Sequence, residues 1–324
     1  MALKTASAVA HPNIAFIKYW GNRDHVLRLP SNGSISMTLG GLETQTTVTF
    51  DESLTTDQVS IDGQPASPSA SARVSQHLDH IRLMAGSDIY ANVESRNNFP
   101  LGVGIASSAS AFAALTVAGI SAAGLSLRPI ELSKLARRGS GSACRSIFGG
   151  FVEWHASETD EDSYAESLAP PNHWDLQDLI AIVSQEQKGV GSTQGHVLAD
   201  TSPLQNARVA DAPRRLEECR RAILDRDFLS LASITELDSN LMHAVMLTST
   251  PPLIYWCPET LQVMNEVARW RSEGYEVCYT IDAGPNVHCI CTMEHADWIE
   301  ERLRHLPGVV QLLRTHPGGQ ARVL

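Results

Sequence analysis

A chain of 324 residues with 43% hydrophobic and 19% charged residues is long enough for one large or two medium domains with a sizeable core. Its formal net charge of −11 argues against nucleic acid or an anionic membrane as the main partner, so any anionic ligand must be met by particular, locally concentrated cations. No apolar run of about 18 residues occurs, the N-terminus lacks the apolar core of a secretion signal, and the six cysteines are scattered without zinc spacing, which reads as buried free thiols of a cytosolic enzyme.

Taken in order, residues 8–11 and 14–18 read as short strands around Pro12, the second delivering Lys18, Tyr19, Trp20 and Gly21 to its end. Residues 34–39 and 44–50 alternate like strands, and 62–72 are a Ser/Pro/Ala/Gly-rich surface loop. The spacing of Val74, Leu78, Ile81 and Ala85 predicts a helix over 73–85. A strand at 89–94 leads into the stretch 99–115, where Pro100, Gly102 and Gly104 precede Ser107, Ser108 and a small-residue helix reaching about Gly124. Glycines allow close backbone approach, and a helix start offers unpaired N–H groups to phosphate. The loop lacks the Gly-Lys-Ser/Thr of a Walker A motif and the third glycine of a dinucleotide fingerprint, and a plain helix cap is the alternative reading.

A short helix follows at 129–138, then a second glycine-serine loop, Gly139-Ser140-Gly141-Ser142-Ala143-Cys144-Arg145-Ser146, opening another helix. Residues 151–155 read as a strand, and 158–166 as an acidic exposed turn. We place a lobe boundary near residue 175, giving lobes 1–175 and 176–324. Beyond it come a strand at 178–184, a third small-residue loop at 189–195, helices at about 203–224, 227–248 and 260–272, and strands at 277–281, 287–292 and 309–314. Mixed strands and helices without βαβ alternation make the fold class α+β.

Four loops thus supply Lys18, the cradle from Gly102 to Ser108, the group Ser140/Ser142/Arg145, and Asp282 on the turn Asp282-Ala283-Gly284-Pro285-Asn286. Two cations, a phosphate cradle, hydroxyls and a carboxylate suit phosphoryl transfer, which needs positioning and charge stabilisation more than covalent chemistry. Each also has a plain reading: Asp282 as a turn cap, Lys18 as a lysine passing Trp20 to the surface, Arg145 as an ion-pair partner.

The stretches 13–21, 29–39, 100–108, 139–146 and 282–286 closely resemble the mevalonate diphosphate decarboxylase branch of the GHMP kinase superfamily, in the family's order across nearly the whole chain. The resemblance implies a two-lobed GHMP kinase-like fold with the active site in the cleft between lobes. It implies ATP and Mg²⁺ as co-substrate and cofactor, a cytoplasmic homodimer, and a phosphorylated mevalonate as substrate. The tertiary 3-hydroxyl is phosphorylated, and the new phosphate leaves as the C1 carboxylate departs as CO₂.

By position, Asp282 would orient or deprotonate the 3-hydroxyl, Lys18 would stabilise the transferring phosphate, and Arg145 would grip the C1 carboxylate. Tyr19, Asn22, Arg73, Ser140, Ser142, Ser192 and Thr193 would bind substrate. Pro100, Gly102, Gly104, Ala106, Ser107 and Ser108 would hold ATP, with Ser108 contacting magnesium. Three departures stand out: Asn22 replaces a lysine that follows Tyr-Trp-Gly in diphosphate-using members, Leu101-Gly102-Val103-Gly104 alters the loop, and His196 replaces a common methionine. Loss of a cation at Asn22 points to mevalonate 5-phosphate as substrate. The alternative is mevalonate 5-diphosphate; a 3-kinase without decarboxylation, or a non-catalytic ATP-binding regulator, fits the intact acid–cation set less well.

Overall fold

The computed structural model describes residues 4–99, 107–186 and 189–324. Two large antiparallel-rich sheets dominate the described residues. The first runs, edge to edge, Arg322–Val323, Lys4–Ala10, Thr44–Phe50, Ala91–Asn97, Gln58–Ile61 and Gln64–Pro65. The second runs Ala165–Ala169, Phe151–Trp154, Ser34–Gly40, Gln311–Pro317, Leu176–Ile182, Val287–Thr292 and Val277–Thr280, with Asn13–Ile17 also paired to Ser34–Gly40. The chain therefore returns at its far end: Gln311–Pro317 bonds both Leu176–Ile182 and Ser34–Gly40, and Arg322–Val323 bonds the first strand.

Three helices, Pro68–Ala85, Ser107–Ala122 and Pro129–Gly139, share a core with the first sheet. Nearly every side chain of Ser107–Ala122 is buried, because Ala, Gly and Ser let it sit between sheet and helix neighbours. At Gly119 an added Cβ would meet Ile81 Cδ1 at 2.6 Å, so the close approach depends on glycine.

The second sheet is covered on both faces, which explains why Asn13–Ile17, Ser34–Gly40 and Leu176–Ile182 are buried along their whole length. Alternation sorts the side chains. Ile180 and Ile182 face a core shared with Ala212–Asp225 and Phe228–Thr248, while Leu179 and Ala181 face one shared with Pro258–Ser272 and Met293–Arg304.

Several boundaries differ from the sequence reading for local reasons. The first helix begins at Pro68 inside the expected loop, because Ser67 Oγ accepts the Ala70 N–H and Pro68 fits the first turn. The expected loop at 189–195 turns helical at Ser192–Leu198. The span 203–224 breaks at Asp211 into Gln205–Ala210 and Ala212–Asp225. The acidic turn is not merely solvated: Asp160 pairs with both Arg137 and Arg138. The parallel strand Gln58–Ile61 and the helix Met293–Arg304 are additional. All six cysteines are free, and five are buried. Among the described residues no helix is long and apolar enough to cross a membrane.

Candidate active site

Lys18 leaves the end of Asn13–Ile17, and Asp282 sits on the tight turn after Val277–Thr280, closed by Gly284 N–H to Asp282 O at 2.8 Å. Separated by 264 positions in sequence, they meet with Lys18 Nζ 2.6 Å from Asp282 Oδ1. The lysine side chain is 2% exposed and the carboxylate 26%, so the pair is closed behind and open on the carboxylate side. Backbone contacts fix Lys18 as well: its N–H donates to Asp238 Oδ2 at 2.6 Å, and its carbonyl accepts from Arg208 Nη2 at 2.8 Å and Asn32 Nδ2 at 3.0 Å.

A cleft of about 300 Å³ opens in front of this pair. Tyr19, Arg73, Ser107, Ser108, Ser140, Ser142, Arg145, Ser192 and Thr193 all line it with Lys18 and Asp282. Ser107 and Ser108 begin the 16-residue helix Ser107–Ala122, whose free N–H groups favour an anion there, and Ser108 Oγ lies 3.2 Å from Ser140 Oγ. Pro100, Gly102, Gly104 and Ala106, expected to cradle ATP, lie outside the described residues. Asn22 does not line the cleft; it accepts the hydroxyl proton of Tyr19 from behind.

Arg145, on the 3₁₀ turn Gly141–Ile147, is 3% exposed. Its Nε and Nη2 donate to Asn13 Oδ1 at 3.2 and 3.0 Å, and Nη1 donates to Ser34 Oγ at 2.5 Å. No carboxylate lies within ion-pair distance among the described residues, which overturns the plain reading of Arg145 as an ion-pair partner. Burial pushes its pKa down, partly opposed by neighbouring groups including Asp282. Two of those neighbours stay neutral, since burial pushes the Cys144 thiol up to about 12 and raises the Tyr19 phenol further. A desolvated guanidinium with only neutral acceptors is a receptor for an anion.

Sequence reasoning missed Arg28 in the wall, named Arg73 for substrate, and noted His196 without giving it a role. Arg28 lines the cleft from a turn where its φ is 51°, its Nε tied to Arg138 O at 3.0 Å. Arg73 has a similar tether, Nη2 to Gly139 O at 3.2 Å, and its guanidinium lies 4.9 Å from the centroid of the Phe112 ring. Together with Arg145 they make the cleft strongly cationic inside an acidic protein. His196 lines it too, its ring stacked 4.1 Å from that of Tyr19 and tilted 4.7 Å from that of Trp20. Its Nδ1 accepts the Gly21 N–H at 3.0 Å, which places its proton on Nε2; burial, then Arg28, holds its pKa down at about 3.

Sequence reasoning also missed Asp238 and Arg208, which hold the Lys18 backbone. Asp238 falls in the stripe Leu231, Ile234, Thr235, Met242, Val245, where the helical period calls for an apolar residue. Among the described residues no cluster of three or more His, Cys, Asp or Glu side chains forms a metal site.

Comparison with known proteins agrees with this geometry. Residues 10–165 match the model for the diphosphomevalonate decarboxylase-like N-terminal domain, and 178–316 that for the mevalonate 5-diphosphate decarboxylase C-terminal domain. The chain is 40% identical to the diphosphomevalonate decarboxylase of Candida albicans over 87% of its own length and 83% of the relative's. It is 39% identical to the human enzyme of that name over 88% and 76%. Mevalonate diphosphate decarboxylase from Staphylococcus aureus superposes with a TM-score of 0.94 at 39% identity, covering 99% of this chain and 98% of that one. A structure described as MDDEF in complex with MVAPP, AMPPCP and magnesium gives 0.94 at 37%, covering 100% and 99%. The chain belongs to the diphosphomevalonate decarboxylase family, with its GHMP-kinase-type fold.

Proposed function

We propose that this protein uses ATP and magnesium to convert mevalonate 5-diphosphate into isopentenyl diphosphate, CO₂, ADP and phosphate. The observation that carries this reading is the Lys18–Asp282 pair at 2.6 Å sharing one cleft with Arg145, a buried cation without a carboxylate partner. Phosphorylation alone needs a carboxylate and a cation near the accepting hydroxyl; a third group for an anionic carboxylate is what decarboxylation adds.

In this reading Asp282 receives or orients the 3-hydroxyl proton, and Lys18, paired with it at 2.6 Å, offsets charge on the transferring phosphate. Arg145 holds the C1 carboxylate until C–C cleavage turns it into CO₂, its electron pair filling the position vacated by phosphate at C3. Ser140, Ser142 and Tyr19 contribute hydroxyls to the bound anion. Ser107 and Ser108, at a helix N-terminus, fit an ATP phosphate. Ser108 and Asp282 would hold magnesium with one or two oxygens, which fits an ion that few protein groups usually bind, and when bound it would supply neutralisation of phosphoryl charge.

The diphosphate is favoured over the monophosphate that Asn22 pointed to. The relatives carry the diphosphate in their names. The lysine missing at Asn22 is also matched by two lining arginines, Arg28 and Arg73, whereas Arg23 is committed to Glu158 at 2.8 Å.

The test offers mevalonate, its 5-phosphate and its 5-diphosphate with ATP and Mg²⁺, following ADP and CO₂ together. Equal release of both from the diphosphate is expected. Preference for the monophosphate overturns the substrate assignment, and ADP without CO₂ overturns the decarboxylase.

A further inference from the structure

Lys18 and Asp282 stand on strands that are not hydrogen-bonded neighbours: Asn13–Ile17 pairs with Ser34–Gly40, while Val277–Thr280 lies at the far edge of the same sheet. The sheet therefore does not set their spacing, apart from one direct tie, Thr280 Oγ1 donating to Ala15 O at 3.2 Å. A helix does. Phe228–Thr248 packs between both strand ends, and two consecutive residues on it grip one strand each. Asp238 accepts the Lys18 N–H at 2.6 Å. Ser239 Oγ accepts the N–H of Ile281, the residue before Asp282, at 3.0 Å and lies 3.4 Å from its carbonyl.

His243, one turn on, adds Nε2 at 3.3 Å from the same Ile281 carbonyl; burial holds its pKa near 4, so the ring is neutral and this nitrogen donates. Consecutive helix positions point about 100° apart, so one backbone can reach two flanking strands. Asp238, Ser239 and His243 are at most 1% exposed. Asp238 is itself fixed by Arg215, Nε to Oδ1 at 2.7 Å, and Arg215 Nη2 also bonds the carbonyl of Arg208, the residue that grips Lys18 O.

We propose that the Asp238-Ser239…His243 turn is a spacer that sets the distance between Lys18 and Asp282, making Ser239 and His243 positioning residues for the reaction. The proposal rests on the reading of Lys18 and Asp282 as the reacting pair. It predicts an effect on rate without an effect on binding, because neither Ser239 nor His243 lines the cleft. Removing the Ser239 hydroxyl frees the Ile281 amide and lets the Asp282 turn relax. A shift of about 1 Å at reacting groups costs up to roughly 100-fold in rate.

The experiment compares full-length wild type, Ser239→Ala, Ser239→Thr and His243→Phe, which keeps a ring against Trp256 but no N–H donor. Expected for Ser239→Ala is a kcat reduced roughly 10- to 100-fold, with KM for both substrates within about 3-fold, recovery in Ser239→Thr, and a smaller kcat loss in His243→Phe. Crystal structures of the variants read the Lys18–Asp282 separation independently of any assay, and a lengthened pair in Ser239→Ala is expected. If Ser239→Ala does not fold, His243→Phe carries both readouts. Unchanged kcat and unchanged separation overturn the proposal, even if thermal stability falls. A lengthened pair in a family whose wild type does not turn over mevalonate 5-diphosphate supports the spacer and overturns the substrate assignment alone.

Discussion

Replacing Arg145 by Gln separates an anion receptor from a structural brace. A brace that loses one member of a buried ion pair costs about 3–5 kcal/mol. Arg145 has no such pair: its partners are the neutral oxygens of Asn13 and Ser34. The substitution leaves one or both of those acceptors unpartnered, at about 1–3 kcal/mol, but removes a guanidinium held at 3% exposure, whose desolvation costs several kcal/mol. The two contributions oppose each other, and the free protein should change by less than about 1.5 kcal/mol.

Ligand stabilisation behaves differently. At 100 times Kd a bound substrate stabilises the wild type by about 2.7 kcal/mol, and weakening binding 100-fold leaves about 0.4 kcal/mol at the same concentration. Urea denaturation with and without the substrate, both proteins side by side, reads both quantities, and CO₂ release should fall at least about 100-fold. A destabilisation of 3 kcal/mol or more in the free protein, with ligand stabilisation intact, would refute the reasoning.

Asp282→Asn should reduce turnover by about 10³-fold or more while an ATP analogue binds within a few-fold of wild type, checked by single-turnover kinetics and calorimetry; near wild-type rates would remove Asp282 from the chemistry. Arg28→Gln and Arg73→Gln should each lower the preference for diphosphate over monophosphate in kcat/KM by about 10-fold, since a charge-assisted hydrogen bond contributes about 1.5–3 kcal/mol; an unchanged ratio would place the outer phosphate elsewhere. Gly141→Ala should cost about 1–3 kcal/mol and raise KM, because the new methyl would lie 2.5 Å from Tyr19 Cε1, on a ring already packed against Trp154 and His196. Burial holds His77 and His196 near 3 and His243 near 4. Below about pH 6.5 the unfolded chain takes up protons that these buried rings do not, so stability is full above that pH and falls as pH drops towards those values. At about pH 5 the loss is about 2 kcal/mol per histidine, which urea midpoints at that pH and at pH 8 would reveal.

The groups proposed to react were legible because each sits in a short, local signature: Lys18 after an apolar strand, Arg145 after a glycine-serine turn, Asp282 on a Gly-Pro turn. Their meeting was not, since it depends on contacts across 264 positions. Arg28 escaped because a lone arginine in a turn carries no pattern, and only its tether to Arg138 aims it inward. The helix at Ser192–Leu198 escaped because Gly189, Gly191 and Gly195 read as loop. Gly195 is there for a tertiary reason: its added Cβ would meet the Trp20 ring at 2.4 Å. Asp238 shows the opposite case, a charge in an apolar stripe whose meaning appears only once Lys18 lies against it.

The pairing of Arg322–Val323 with Lys4–Ala10 has a consequence for association. The strand Lys4–Ala10 is bonded on one side to Thr44–Phe50. Its other side is covered by Arg322–Val323, and the approach is stitched by Gly318 N–H to Thr38 O, Gly150 N–H to Gly318 O and Leu324 N–H to Ser7 O. Wherever that contact opens, Lys4–Ala10 is left with an uncapped edge at Ala8 and Val9, the kind of edge that recruits other chains. The short strand Arg322–Val323 therefore acts as a latch that keeps this edge from pairing with another chain.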